Sequence, residues 1–299
     1  MALGTIGLHT SIRNNNIKSV LLLLGFPAIL FGILFGIIAA FEDPTPLETT
    51  LLCSPALFII IAIWFAISYW FHQSMINKAT GAKPMERKEH PEVYNLLENK
   101  CIAQGITMPK LYIIETDVLN AYASGLNEQT YAITLTSGLI KKLKKDELEG
   151  VIAHELTHIL NQDVRLLIVS IIFVGIISFV SELIVRSVLR GNSKRSSDKN
   201  NGPAIMIAFL VAGVGYLLAI LIRFALSRKR EYLANAGATQ ITKRPHSLAS
   251  ALEKISGHSD LDDVNDDVKL MLIDNAKSFM GLFATHPPIE KRIKALLKY

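Results

Sequence analysis

Cysteine is scarce in this chain, with two residues in 299, Cys53 and Cys101. Neither fits the spacing of a disulfide framework or a thiolate metal site. Cys53 lies inside an apolar run, so both thiols are expected to stay reduced. Charge is thin as well, at 19% of residues, and the net charge of +5 is modest. The bases gather beside apolar runs, which excludes nucleic acid as a partner and suits a membrane surface. A calcium loop is missing too. The acids Asp260, Asp262, Asp263, Asp266 and Asp267 lack its spacing and its closing glutamate, and they read as a solvated loop or helix start.

Apolar residues are abundant. They make up 50% of the chain and raise its mean hydropathy to +0.34. A membrane-crossing helix needs about 20 mostly apolar residues, and residues 20–41 and 51–71 both meet that length. The first contains Pro27, and the second ends in Tyr69, Trp70 and Phe71, an aromatic interface anchor. Arg13 and Lys18 precede this pair, and Lys78, Lys83, Arg87 and Lys88 follow it. The connection between the spans carries Glu42, Asp43 and Glu48 and no base. That asymmetry predicts a retained hairpin with both ends in the cytoplasm. Residues 166–189 and 203–222 form a second apolar pair. Glu182 and Arg186 interrupt it, and its basic loop (Arg190, Lys194, Arg195, Lys199) conflicts with a hairpin entered from the cytoplasm. Full crossing and burial against protein both remain open for this pair.

Leu148, Ile152, Leu156 and Ile159 recur at helical spacing, and Asp146 and Glu147 suit the opening turn of that helix. Within it, residues 154–158 read His-Glu-Leu-Thr-His. Side chains four apart share a helix face, so His154 and His158 can reach one ion. Glu155 stands on the neighbouring strip, near the ion without being needed as a ligand, where it can move protons. A catalytic zinc of this kind takes a third protein ligand, and Glu231, just after the fourth apolar run, is the best candidate. If both later runs cross the membrane, or neither does, Glu231 falls on the same side as the histidines. Asn235, one turn further, is expected beside the ligands as an outer partner.

These residues resemble those of the HtpX membrane metalloproteases, relatives of the prenyl-protein (CAAX) endopeptidases in the gluzincin group. The resemblance runs through the two N-terminal spans, residues 119–125 (Leu-Asn-Ala-Tyr-Ala-Ser-Gly), 147–163, two further apolar runs, 227–237 and 285–293. It implies one zinc per chain held by His154, His158 and Glu231, with Glu155 as general base. It also implies a cytoplasm-facing endopeptidase of the cell membrane that acts on misfolded or damaged membrane proteins. The family usually has aspartate where this chain has Asn235.

Residues 111–115 and 130–135 read as strands. Residues 120–125 read either as an edge strand, with Asn120 and Ala121 offering backbone to a peptide, or as an ordinary hairpin turn. In 285–293, Pro287 and Pro288 suit a helix start, with Ile289, Ile293, Leu296 and Leu297 on its buried face. His286 or Arg292 can donate to a developing oxyanion, or both can brace that helix. His9, His72, His90, His246 and His258 have no ligand spacing.

The expected architecture is therefore α+β, a multi-pass helical membrane protein with a zincin-like cytoplasmic protease domain. Residues 1–71 form a hairpin, 72–164 and 225–299 the protease domain, and 165–224 a second hairpin. Membrane-protein substrates and the lipid bilayer are the expected partners, and a homo-oligomer is admissible. A site-specific processing protease of the prenyl-protein type and a non-catalytic zinc-binding membrane scaffold are the alternative readings.

Overall fold

Short β-branched and aromatic segments build a four-stranded sheet in the order β1–β2–β4–β3. In the computed structural model, which describes residues 3–40, 44–172, 213–214, 228–259, 261, 271–274 and 287–298, these strands are β1 (Lys83–Pro84), β2 (Lys110–Ile114), β3 (Ala121–Ser124) and β4 (Ala132–Thr136). β2 and β4 run parallel, with Leu111 opposite Ile133. β3 runs antiparallel to β4, with Ala121 opposite Leu135, and it forms one edge of the sheet. Of residues 120–125, Ala121–Ser124 thus form an edge strand. The chain then turns at Asn127, whose carbonyl accepts the Thr130 and Tyr131 N–H groups.

The chain divides into two compact units, 1–17 with 71–168 and 226–299, and 18–70 with 169–225. Two long helices, α1 (Leu3–Ala40) and α2 (Pro46–Thr80), supply most of the described part of the second unit. Among the described residues, α2 alone is long and apolar enough to cross a membrane, and α1 holds a shorter apolar stretch, Leu24–Gly36. Only 11% of the apolar window in α2 is buried, and Leu52, Ile60 and Trp70 stand exposed, as lipid-facing side chains would. The apolar pair at 166–189 and 203–222 lies almost wholly outside the described residues, as do the acidic residues 262–267.

The first unit is organised around α5 (Lys145–Leu160), with α3 (Pro91–Gln104) and α4 (Ser137–Lys142) beside it and α6 (Arg228–Thr242), α7 (Pro245–Ile255) and α8 (Ile289–Leu296) completing it. The α5 face expected to be buried is buried, and so are Val151, Ala153, His154, Glu155 and Thr157. Helix α5 is therefore central, enclosed on nearly all sides. It ends at Asn161, and Gln162 follows at φ 57°, a left-handed conformation that stops the helix.

Helix α5 packs most closely on α6 and α7. Two glycines permit this. A Cβ on Gly237 would run into the Thr157 side chain, and one on Gly150 would lie 3.2 Å from the Leu248 backbone. Of the α8 face expected to be buried, Ile289 and Leu296 are buried and Leu297 is exposed, while Arg292 faces inward beside them. An arginine takes a core-facing position because its guanidinium finds buried acceptors there.

The start of α5 is tied down by Glu147. Its carboxylate accepts the Lys144 N–H at 2.7 Å, the Ser250 hydroxyl at 2.7 Å and the Lys254 ammonium at 2.6 Å. Burial pushes its pKa up, but Lys254, the Lys144 N–H and Ser250 outweigh burial and hold it below the ordinary value of 4.5. A depressed carboxylate stabilises the fold above its unfolded value and loses that contribution as pH falls through the folded one. Glu147→Gln should therefore cost about 1–3 kcal/mol at neutral pH. In thermal melts in detergent, the deficit should shrink below pH 4. A deficit of the same size at every pH would show that the charge is not what stabilises the helix start.

Candidate metal centre

Helix geometry places His154 and His158 one turn apart, and α6 brings Glu231 to them from across the packed helix pair. Their ligand atoms lie within 4.8 Å of one another, and the three residues form a group able to hold a metal ion. The two Nε2 atoms are 3.2 Å apart. Glu231 spans both rings, with Oε2 3.5 Å from His154 Nε2 and Oε1 3.5 Å from His158 Nε2.

The donor set fits zinc. Two nitrogens bound to a tetrahedral zinc at about 2.0–2.1 Å would sit about 3.4 Å apart. Two imidazole lone pairs and a carboxylate turned towards one buried point need a proton or a cation there. His154 is fully buried, and burial is the main cause of a pKa depressed to about 3, which keeps the ring in its neutral, ligating form. Burial also pulls His158 down, but the Glu231 and Asp163 carboxylates more than offset it, and its pKa is raised.

Glu155 lines the same narrow pocket as His158 and Glu231 without belonging to the ligand group. Burial is the main cause of a carboxyl pKa raised to about 7, with the nearby Glu231 pushing the same way. His158, Arg292 and the Ala123 N–H of the edge strand oppose the rise. A carboxyl with that pKa can both take up and release a proton near neutral pH.

Asp163 was given no role in the sequence reading, yet its Oδ2 lies 3.0 Å from His158 Nδ1 and the residue is almost fully buried. A carboxylate on the outer nitrogen sets the tautomer and aims Nε2 at the centre. The available signal was an acid just beyond the helix end, five residues after His158, where the chain turns back. Asp163→Ala should weaken zinc binding by about 10–100-fold. Competition against a graded series of chelators would measure it, and an unchanged affinity would rule out the orienting role.

Asn235 Oδ1 lies 3.2 Å from Arg292 Nη2, so its nearest polar partner is that guanidinium. Arg292 is itself fully buried. Its Nη2 is also 3.2 Å from His154 Nε2 and 3.3 Å from Glu231 Oε2, and its Nη1 donates to the Ile273 carbonyl at 2.7 Å. His286 lies outside the described residues. Asn120 and Ala121 open the edge strand but stand partly engaged. The Asn120 amide donates to the Ser259 and Asp274 carbonyls, and its Oδ1 accepts the Ala121 N–H at 2.9 Å.

Fold and donor set together are those of an HExxH metalloprotease, with an edge strand beside a helix that carries both histidines. The comparisons agree. The model for peptidase family M48 matches residues 87–299. A protein called "Protease HtpX homolog" from Bacteroides fragilis is 49% identical, covering 98% of this chain and 99% of its own length. Proteins of the same name from Listeria monocytogenes (36% identical, 97% and 99% covered) and Dictyoglomus turgidum (35%, 96% and 93%) are similar end to end. A crystal structure of Ste24p from S. mikatae shares the fold at TM-score 0.50 and 20% identity, covering 94% of this chain and 66% of that one.

The chain belongs to peptidase family M48. It is a membrane metalloprotease, a hydrolase of peptide bonds.

Proposed function

We propose that this protein is a multi-pass zinc endopeptidase of the cell membrane, with its centre facing the cytoplasm, that degrades misfolded or damaged membrane proteins. The observation that carries this reading is the convergence of His154, His158 and Glu231 on one buried point beside Glu155. The full-length similarity to HtpX homologs supports the quality-control role, and the basic flanks of the first two apolar runs support the orientation. Residues 72–164 and 225–299 form the protease domain, which the second apolar pair interrupts.

His154, His158 and Glu231 would hold the zinc. When bound there, zinc supplies Lewis acidity, polarising the scissile carbonyl, acidifying water and favouring the carboxylate form of Glu155. Glu155 removes a proton from the attacking water and passes it to the departing amine. Asp163 keeps His158 in register. Arg292 is a donor close enough to the ligands to stabilise negative charge on the substrate oxygen, and Asn235 and Glu231 hold its guanidinium in place. The edge of β3 offers backbone groups to an extended peptide by strand addition.

The test compares substrates. Purified zinc-loaded protein in proteoliposomes is offered a heat-unfolded membrane protein, the same protein folded, and a prenylated cysteine-terminated peptide. Cleavage of the unfolded form at several sites, with the folded form spared, is expected. Cleavage confined to a single site in the prenylated peptide would replace quality control with site-specific processing. Zinc binding without any cleavage would make the chain a scaffold.

A further inference from the structure

Residues 271–274 (Met-Leu-Ile-Asp) lie about 110 residues beyond the HExxH helix in sequence, yet the first three of them line the catalytic pocket. Met271, Leu272 and Ile273 are all buried, sharing its wall with Ala123, Glu155, His158 and Glu231. The segment is bent and is not itself a strand. At Ile273, however, its backbone bonds as an added strand residue would. The Ile273 N–H donates to the Ala121 carbonyl on the open edge of β3 at 2.9 Å and to Asn120 Oδ1 at 3.1 Å. Its carbonyl accepts from Arg292 Nη1 at 2.7 Å. Asp274 completes the attachment, since its carbonyl accepts from the Asn120 amide and its carboxylate from the Ser259 hydroxyl.

The segment thus takes up the free carbonyl of the edge strand and one arm of the guanidinium nearest the ligands. Both are groups that an extended peptide would need. About 30 Å³ of cavity is left beside the segment, room for a water or two.

We propose that residues 271–274 are an internal competitor of the substrate. The Ile273 backbone occupies the strand-edge position of one substrate residue, and the cleft binds a peptide only in the fraction of molecules that has released it. This rests on the assignment of the cleft as a peptide site, and it adds regulation to that site. The apparent affinity of such a protein is its intrinsic affinity reduced by the released fraction. Whatever weakens the Ile273 attachment therefore tightens peptide binding without a new contact to the peptide.

Binding, not turnover, tests it. The probe is fluorescein-labelled insulin B chain, read by anisotropy against the zinc-loaded, full-length Glu155→Gln protein in detergent. Ile273→Pro in that background removes the N–H that bonds Ala121 and Asn120. The expected result is about fivefold tighter binding, the effect of losing one net hydrogen bond from the closed form. Zinc content and melting temperature are measured alongside. If the proline variant does not melt cooperatively, Leu272→Gly replaces it, loosening the same segment without touching β3, with the same direction expected. Unchanged or weaker binding in a folded, zinc-replete variant would overturn the proposal and make 271–274 a fixed wall of the cleft. No binding by parent and variants alike would sink the peptide-site assignment, and this proposal with it.

Discussion

Glu155→Gln should lose at least about 10³-fold in proteolysis while keeping one zinc per chain. The amide has the shape of the carboxylate and can still accept the Ala123 N–H, so the pocket keeps its form. It cannot take a proton from water. Because Glu155 lies outside the ligand group, metal content should not fall. A second readout separates this from a folding defect. The carboxyl pKa is raised from its ordinary 4.5 to about 7, chiefly by burial. The folded state therefore holds a proton that the unfolded chain has already released between those values. Stability of the metal-free wild type should fall as pH rises through that window, and Glu155→Gln should not share the fall. The metal-free variant should melt at a higher temperature than wild type at pH 8 and at a similar one at pH 4. Full activity in Glu155→Gln would remove the glutamate from the mechanism.

Removing Glu231 should have an effect as large by a different route. Glu231→Ala takes away the one candidate ligand outside the HExxH helix among the described residues, and its loss should weaken zinc by more than the about 10–100-fold expected for an outer partner. It also removes the anion that faces the buried Arg292, and an uncompensated buried charge costs about 3–5 kcal/mol. Glu231→Gln separates the two effects, because the amide oxygen can still accept from Arg292 but binds zinc poorly. Both variants should be metal-poor, and the glutamine variant should melt above the alanine one because its amide keeps the hydrogen bond to Arg292 though not the countercharge. Stoichiometric zinc in both, measured by atomic emission after dialysis, would exclude Glu231 from the centre.

The legibility of this protein varies with how local each feature is. The HExxH helix was readable because a 3.6-residue period and a four-residue spacing are properties of one segment. The edge strand was readable as one of two options, and pairing with β4 decided between them. Glu231 carried no spacing signal of its own and was reached from its place after the fourth apolar run, from membrane sidedness and from the family resemblance. Asp163 was in plain view but carried no periodic signal, since its role comes from the turn at Gln162 that folds it back on His158. For α8, the apolar pattern pointed to Ile289, Ile293, Leu296 and Leu297 as the buried face, with Arg292 as an oxyanion donor or a brace. Ile289 and Leu296 are buried as that pattern expects, but the helix also turns Arg292 inward, where Glu231, Asn235 and the Ile273 carbonyl receive its guanidinium.

Period, spacing and apolar run length were enough to point to a membrane-associated HExxH protein and its first two candidate ligands, since each is set by backbone geometry within one helix. Tertiary packing decided the rest: which carboxylate steadies His158, where Asn235 and Arg292 point, and that a bent segment lies on the peptide edge. Those contacts join residues more than fifty positions apart in most cases. They depend on the close approach of α6 and α7 to α5, which Gly237 and Gly150 permit.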